Sequence, residues 1–364
     1  MREPREVRRQ RILAVVESRG EARLSDLAAD LEVSVITVRR DVEDLSREGR
    51  LRRGHGVARS VGPVERSTAT AEPVASGEAV ALMVPERHTY LYEMMHGARG
   101  ALNEAGMRVA LHIAPQVEGA ERPLVERVLA ERVRGLLIAP RWRTAAEEEA
   151  DYAWLAGAGV PTVVMERRPR AGSALHAMDS VCTDHWFGIH LAVDHLIQLG
   201  HRRIVLAARD DSPTARALRA AFAEIAASRT EIEDWTVVLS ARDAGAGRSR
   251  EPLDLATLLR ERRATAAVLH GDVDALMLVS QLIDGGVRVP QDCSVVAYDD
   301  VVAALGSTPL TAVSPPKHEV GRVAAQLLLR RFAEAEASGA GRPQRVELLP
   351  ELKVRGSATH RTIV

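Results

Sequence analysis

The sequence predicts a mixed α/β protein: a winged helix-turn-helix at the N-terminus, followed by two doubly wound parallel sheets. Three observations predict it. Residues 5–59 hold three short helical segments with apolar stripes, then a Gly-rich hairpin. Residues 60–77 are small residues, Pro and Gly without apolar periodicity, which reads as a linker. From residue 78, short apolar runs alternate with amphipathic stretches of helical length, the pattern of βαβ units whose sheets are covered on both faces.

Ile12, Leu13, Val15 and Val16 recur at helical spacing in a segment that Gly20 ends. Ser25 is a natural N-cap for a short second helix, Asp26 to Asp30, with Leu27, Ala28 and Leu31 turned inward. Ser34 caps a third, in which Val38, Val42 and Leu45 form the buried stripe. At about 100° per residue, Ile36, Arg40, Glu43 and Arg47 point away from that stripe, with Thr37 and Arg39 on its flanks. Arginine grips guanine bidentately and an aliphatic group meets a thymine methyl, so this outward face suits a major groove. Leu51–Arg53 and Val57–Arg59 then bracket Gly54-His55-Gly56 as a wing, with Arg53 and His55 placed for phosphates. The candidate DNA-binding residues are therefore Ser34, Ile36, Thr37, Arg39, Arg40, Arg47, Arg53 and His55.

An ordinary solvated helix gives the same residues another use, as ion pairs of Arg39 with Glu43 and of Arg40 with Asp44. Arginine is also common here, and the first 60 residues carry 14 Arg against 11 acidic residues, a modest basic surplus. Charge does not choose between the two. The order of motifs does. Val33-Ser34, Thr37-Val38-Arg39-Arg40-Asp41 and His55-Gly56-Val57-Ala58 together resemble the DNA-binding domain of DeoR-type regulators, with Val57 where a second glycine is usual. The resemblance implies DNA binding.

At 364 residues there is room for two or three domains. A net charge of −1 with 27% charged residues fits neither a polyanion coat nor a membrane-surface protein. No apolar run reaches the length of a bilayer span, and the Arg-rich start has no apolar region after it. A cytoplasmic protein is expected. Cys182 and Cys293 read as buried free thiols rather than a disulfide or a metal site.

In the second part, strands are predicted at Ala79–Val84, Arg108–Ile113, Gly135–Ala139 and Pro161–Met165, between helices over 90–105, 121–133 and 145–157. After a connecting loop the pattern restarts, with helices over 186–199, 213–227, 252–263 and 272–285. These alternate with strands Ile204–Ala208, Thr236–Leu239, Ala266–Leu269 and Ser294–Ala297. Two such series predict two subdomains with a ligand cleft beyond the strand ends. No enzyme signature accompanies them. There is no Walker A motif, and Gly245-Ala246-Gly247 lies in a polar loop. His185, His190 and His195 are five apart and share no helical face, so no metal is expected. No nucleophile and base accompany the acidic residues, so neither catalysis nor a cofactor is expected.

Residues 78–358 resemble the sensor domain of LacI-type repressors, related to periplasmic sugar-binding proteins. The distinctive runs are Leu191-Ala192-Val193-Asp194-His195-Leu196-Ile197-Gln198-Leu199-Gly200-His201-Arg202-Arg203-Ile204 and Val289-Pro290-Gln291-Asp292-Cys293-Ser294-Val295-Val296-Ala297-Tyr298-Asp299-Asp300. Asp211 to Arg216, Pro309 to Val313 and Leu352 to Ser357 match as well. The resemblance implies two lobes joined by three crossovers, lobe one over about 78–182 and 311–335, lobe two over about 183–307 and 340–358. It places Arg141, Glu166, Asp184, Asp272 and Asp299 around a small effector, with Tyr90, Tyr92 and Trp186 as aromatics that stack on a sugar or simply pack. Leu218 stands at the usual effector-gripping arginine, leaving Arg216 or Arg219 as an imperfect substitute, while Gly271 and Ala241 replace an asparagine and an aromatic. Carboxylates and an arginine suit a neutral or weakly charged polyhydroxy ligand.

The expectation is a homodimeric transcriptional regulator, a repressor, that binds an inverted-repeat operator and responds to a sugar-like effector, with no membrane partner. Pairing a DeoR-like reader with a LacI-like sensor is a chimeric arrangement. The linker has too much Gly and Pro for a minor-groove hinge helix. The alternatives are a solute-binding transport component and a regulator with a vestigial sensor.

Overall fold

The computed structural model describes residues 9, 12–13, 16, 21–24, 27–28, 33–47, 51–54, 57–60, 79–86, 89–115, 117, 119–240, 253–337 and 341–361. The chain divides into two units, Met1–Pro73 and Val74–Val364.

In the first unit, β1 (Glu21–Arg23), α1 (Val35–Arg47), β2 (Leu51–Arg53) and β3 (Val57–Ser60) follow in order. The strands form an antiparallel sheet in the order β1-β3-β2. Val38, Val42 and Leu45 of α1 share one core with Ile12, Leu13, Val16, Leu27, Leu51 and Ala58. That burial is what the apolar spacing was for. β1 is an addition to the sequence reading, since three residues are too few for an alternation to show. The expected first and second helices lie largely outside the described residues, as do His55, Ala241 and residues 61–77 of the linker.

The second unit opens with β4 (Ala79–Pro85), α2 (Thr89–Glu104), β5 (Arg108–Ala114), α3 (Glu121–Ala130), β6 (Gly135–Ile138), α4 (Ala145–Ala156), β7 (Thr162–Met165) and β8 (Asp179–Thr183). It continues with α5 (His185–Gln198), β9 (Arg203–Ala208), α6 (Pro213–Ser228), β10 (Asp234–Leu239), α7 (Leu255–Arg262), β11 (Ala266–His270), α8 (Asp272–Asp284) and β12 (Ser294–Tyr298). It ends with β13 (Thr311–Ser314), α9 (Lys317–Glu336), β14 (Arg345–Leu348) and β15 (Glu351–Lys353). Two six-stranded sheets result, β14-β8-β7-β6-β4-β5 and β10-β9-β11-β12-β13-β15. Every pairing is parallel except that of β15 with β13.

The central strands of both sheets are buried on both faces. Along β4, Val80, Leu82 and Val84 face a core shared with α2 and α9, while Ala81 and Met83 face α3 and α4. In the second sheet α5 and α6 cover one face, α7 and α8 the other. The helices start where the sequence offers caps. Thr144, Asp184, Ser212 and Asp254 each accept the backbone N–H three residues on.

The sequence boundaries of the lobes need two corrections. β13, assigned with lobe one, lies in the second sheet, where Thr311–Val313 pair with Val296–Tyr298. β14, assigned to lobe two, lies in the first sheet beside β8, which itself fell in the expected connecting loop. The chain therefore crosses after β8, after β13 and after β14.

Candidate functional site

On α1 the expected outward face is exposed. Ile36 is 68% exposed, and Arg39, Arg40 and Arg47 also face solvent. Ser34 Oγ accepts the Thr37 N–H at 3.2 Å and lies 2.9 Å from the Thr37 hydroxyl, fixing the start of the helix. The alternative ion pairs do not form as expected. Asp44 is held by Arg9 at 2.5 Å and by Arg47, leaving Arg40 without it. Among the described residues neither Arg39 nor Arg40 is in an ion pair, so both guanidinium groups stay available. Arg53 ends β2 at the turn, where Gly54 donates to the Val57 carbonyl at 2.9 Å.

In the second unit the strand ends deliver the site. Arg141 follows β6, Glu166 follows β7 and Asp184 follows β8 in lobe one, facing Arg209 after β9, His270 at the end of β11 and Asp299 after β12. They line two chambers between the lobes. The first, about 280 Å³, takes Tyr90, Arg141, Asp272 and Asp299, and adds Arg209, His270 and Asp274. The second, about 310 Å³, takes Glu166, Asp184, Trp186 and Arg216. Thr214 lines both. Tyr92 lines neither chamber and is 44% exposed on α2.

Most of the expected ligand carboxylates hold protein groups. Asp184 Oδ1 accepts the Phe187 N–H at 2.9 Å as the cap of α5. Asp272 Oδ2 accepts the N–H groups of Val301 and Val302, and that of Ala303 at 3.0 Å, tying down the loop after β12. Glu166 Oε1 receives the Tyr90 hydroxyl at 2.9 Å and the Thr183 hydroxyl at 2.7 Å, while its Oε2 is buried without a partner among the described residues. Burial raises the Glu166 pKa against those hydrogen bonds. His185 Nε2 lies 3.7 Å from Glu166, but burial pulls that imidazole down to about 3, so it is neutral and the contact is no salt bridge. Arg216 is likewise committed. It donates to the Trp142 and Arg143 carbonyls at 3.1 and 2.9 Å and to Glu148 at 2.7 Å. Trp186 donates its indole N–H to Glu224 at 3.2 Å.

Asp299 is the expected carboxyl that stays open to the first chamber. Burial, and then the neighbouring Asp272, push its pKa up to about 7 against the opposing pull of Lys317. Arg141 is fixed through its backbone N–H to Glu121 at 2.8 Å, and its Nη1 is buried without a partner among the described residues. Sequence reasoning missed Arg209, which grips Asp274 with two hydrogen bonds of 2.6 and 2.8 Å, and His270 and the buried Lys317. The rule that strand ends carry the site reaches Arg209 and His270; nothing local marks Lys317. Leu218 is fully buried in the core, and Gly271, at φ 76, turns the chain into α8.

A family model for a DeoR-like helix-turn-helix domain matches residues 8–64, and one for a periplasmic binding protein-like domain matches residues 193–358. The two matches fall one in each unit of the chain. The HTH-type transcriptional repressor PurR of Aliivibrio fischeri is 28% identical over 292 residues, covering 77% of this chain and 80% of the relative. An arabinose metabolism transcriptional repressor of Halalkalibacterium halodurans is 26% identical over 341 residues, covering 92% of this chain and 89% of the relative. An alignment of that reach extends into both units. The solved structure of a LacI family transcriptional regulator from Mycobacterium smegmatis is 25% identical at a TM-score of 0.60, covering 78% of this chain and 100% of that one.

Proposed function

We propose that the chain is a DNA-binding transcriptional repressor whose hold on its operator is controlled by a small carbohydrate-like effector in the interlobe cleft. One observation carries it: a reading helix with Ile36, Arg39 and Arg40 exposed shares a chain with a two-lobed cleft in which Arg141 and His270 keep polar atoms without a partner among the described residues. The likeness to relatives named as repressors supports the same reading. Two copies acting on an inverted repeat fit such a reader. Chemistry at the cleft is disfavoured. Cys182 borders the second chamber, but burial raises its thiol far above the range of a reactive thiolate. Among the described residues no helix is long and apolar enough to cross a membrane.

The test is selection from a random duplex library with the full chain. It should yield an inverted repeat. Arg40→Ala should lose about 1–3 kcal/mol of preference for it while keeping most non-specific binding. Selected duplexes without symmetry, or equal losses on specific and random DNA, would count against the assignment.

A further inference from the structure

The charge balance of the first chamber bears on the class of the effector, and so rests on the regulator reading above. Of the acidic side chains lining it, Asp272 is spent on the 301–303 backbone, and Asp274 on Arg209. Asp211 lies 3.7 Å from the same Arg209. Asp299, held up to about 7, is about half protonated at neutral pH, so it repels an anion less than a full carboxylate does and can donate a hydrogen bond. The cations are committed as well, with one exception. Arg167 is buried and donates to the Pro140 and Glu166 carbonyls. Arg141 has a buried Nη1 without a partner among the described residues, and its neighbour Glu121 is a weak counter-ion, with a pKa raised to about 7 by burial. From the other lobe His270, only 8% exposed, brings to the same chamber an Nδ1 that also lacks a partner among the described residues. Burial pulls this ring down to about 4, so it is neutral.

A buried guanidinium N–H without an acceptor bears its full desolvation cost, so the fold gains nothing by keeping it. Two such orphaned groups, one from each lobe, specify a ligand that supplies what both lack. We propose that the effector is a polyhydroxy acid whose carboxylate is bound by Arg141 in the first chamber, with His270 and Asp299 on the hydroxyls beside it. A neutral hydroxyl leaves the Arg141 charge uncompensated. A phosphate dianion brings one charge more than Arg141 balances.

The full chain is titrated by calorimetry and thermal shift with D-glucuronate, D-galacturonate and D-gluconate, against D-glucose, D-galactose and glucose 6-phosphate. At least one acid should bind where its parent hexose is silent. Arg141→Leu should weaken that binding by roughly tenfold or more, and Arg141→Lys should recover part of it. Without ligand, Arg141→Leu should melt no lower than the parent chain, which a merely structural arginine would not permit. Silence from all three acids, tighter binding of a hexose or of the phosphate, or a lower unliganded Tm for Arg141→Leu each overturns the carboxylate. Operator selection without ligand reports on the regulator reading independently, and a hexose that binds sustains that reading while sinking this one.

Discussion

Asp299 retains its proton to about 7 in the folded chain, whereas an aspartate in an unfolded chain ionises near about 3.9. Its stabilising contribution is therefore fully present below about pH 4 and is lost as the pH rises to about 7. His185 and His270, held down to about 3 and about 4, act in the opposite direction. Their contribution is present above about pH 6.5 and is lost as the pH falls through their folded values. The prediction is accordingly a difference. Relative to the parent chain, Asp299→Asn should gain stability as the pH is raised from about 4 to about 7, by at most about 4 kcal/mol in urea unfolding. Parallel stability curves for the two chains would refute it. At this scale the sequence was legible wherever a residue's place followed from a strand end, as for Arg141, Glu166 and Asp299. It was not legible for the partners. Asp272 meets a backbone about 30 residues away, and Arg216 a carboxylate 68 residues away.

Elements were read best where periodicity ran long. The helices from α2 to α8 and the strands from β4 to β12 appear within a few residues of expectation, except β8, because the helices repeat their pattern over several turns and the strands between them stand out as continuous apolar runs. β8, β13 and β14 are at most five residues long, and their place is set by which neighbour they pair with. The crossing of α2 and α9 has a similar non-local origin. A Cβ on Gly321 would fall 1.8 Å from the Met94 carbonyl oxygen, and one on Gly97 would fall 1.9 Å from that of His318. The helices thus touch through their backbones, an approach that only glycine allows. Gly321→Ala must push α9 off α2 and should cost at least about 1–3 kcal/mol in thermal unfolding. Gly100, whose added Cβ would meet nothing within 4 Å, is the control, and its replacement by Ala should be neutral or mildly stabilising. Equal effects at the two positions would show that the close crossing does not matter.

For the whole second unit the decisive link is Arg216, foreseen as a ligand residue and found joining the lobes. It stands on α6 of the second lobe and donates across the cleft to the Trp142 and Arg143 carbonyls and to Glu148, all on the first. Arg141 lies in the same loop, so the bridge also fixes the cation that faces the first chamber. A planar fork meets two carbonyls and a carboxylate at once, which an ammonium does less well, so Arg216→Lys should restore little of the bridge. Arg216→Ala should cost about 1–3 kcal/mol and raise the radius of gyration measured by small-angle scattering, because the lobes lose their shared tie. Glu148→Gln should cost less, since both carbonyls remain to be held, and the double variant should fall short of the sum of the two. Effector binding should weaken as well, because a cleft that spends less time closed lowers apparent affinity in proportion. An unchanged radius of gyration with additive losses would mean that Arg216 merely packs, and that lobe closure is set elsewhere.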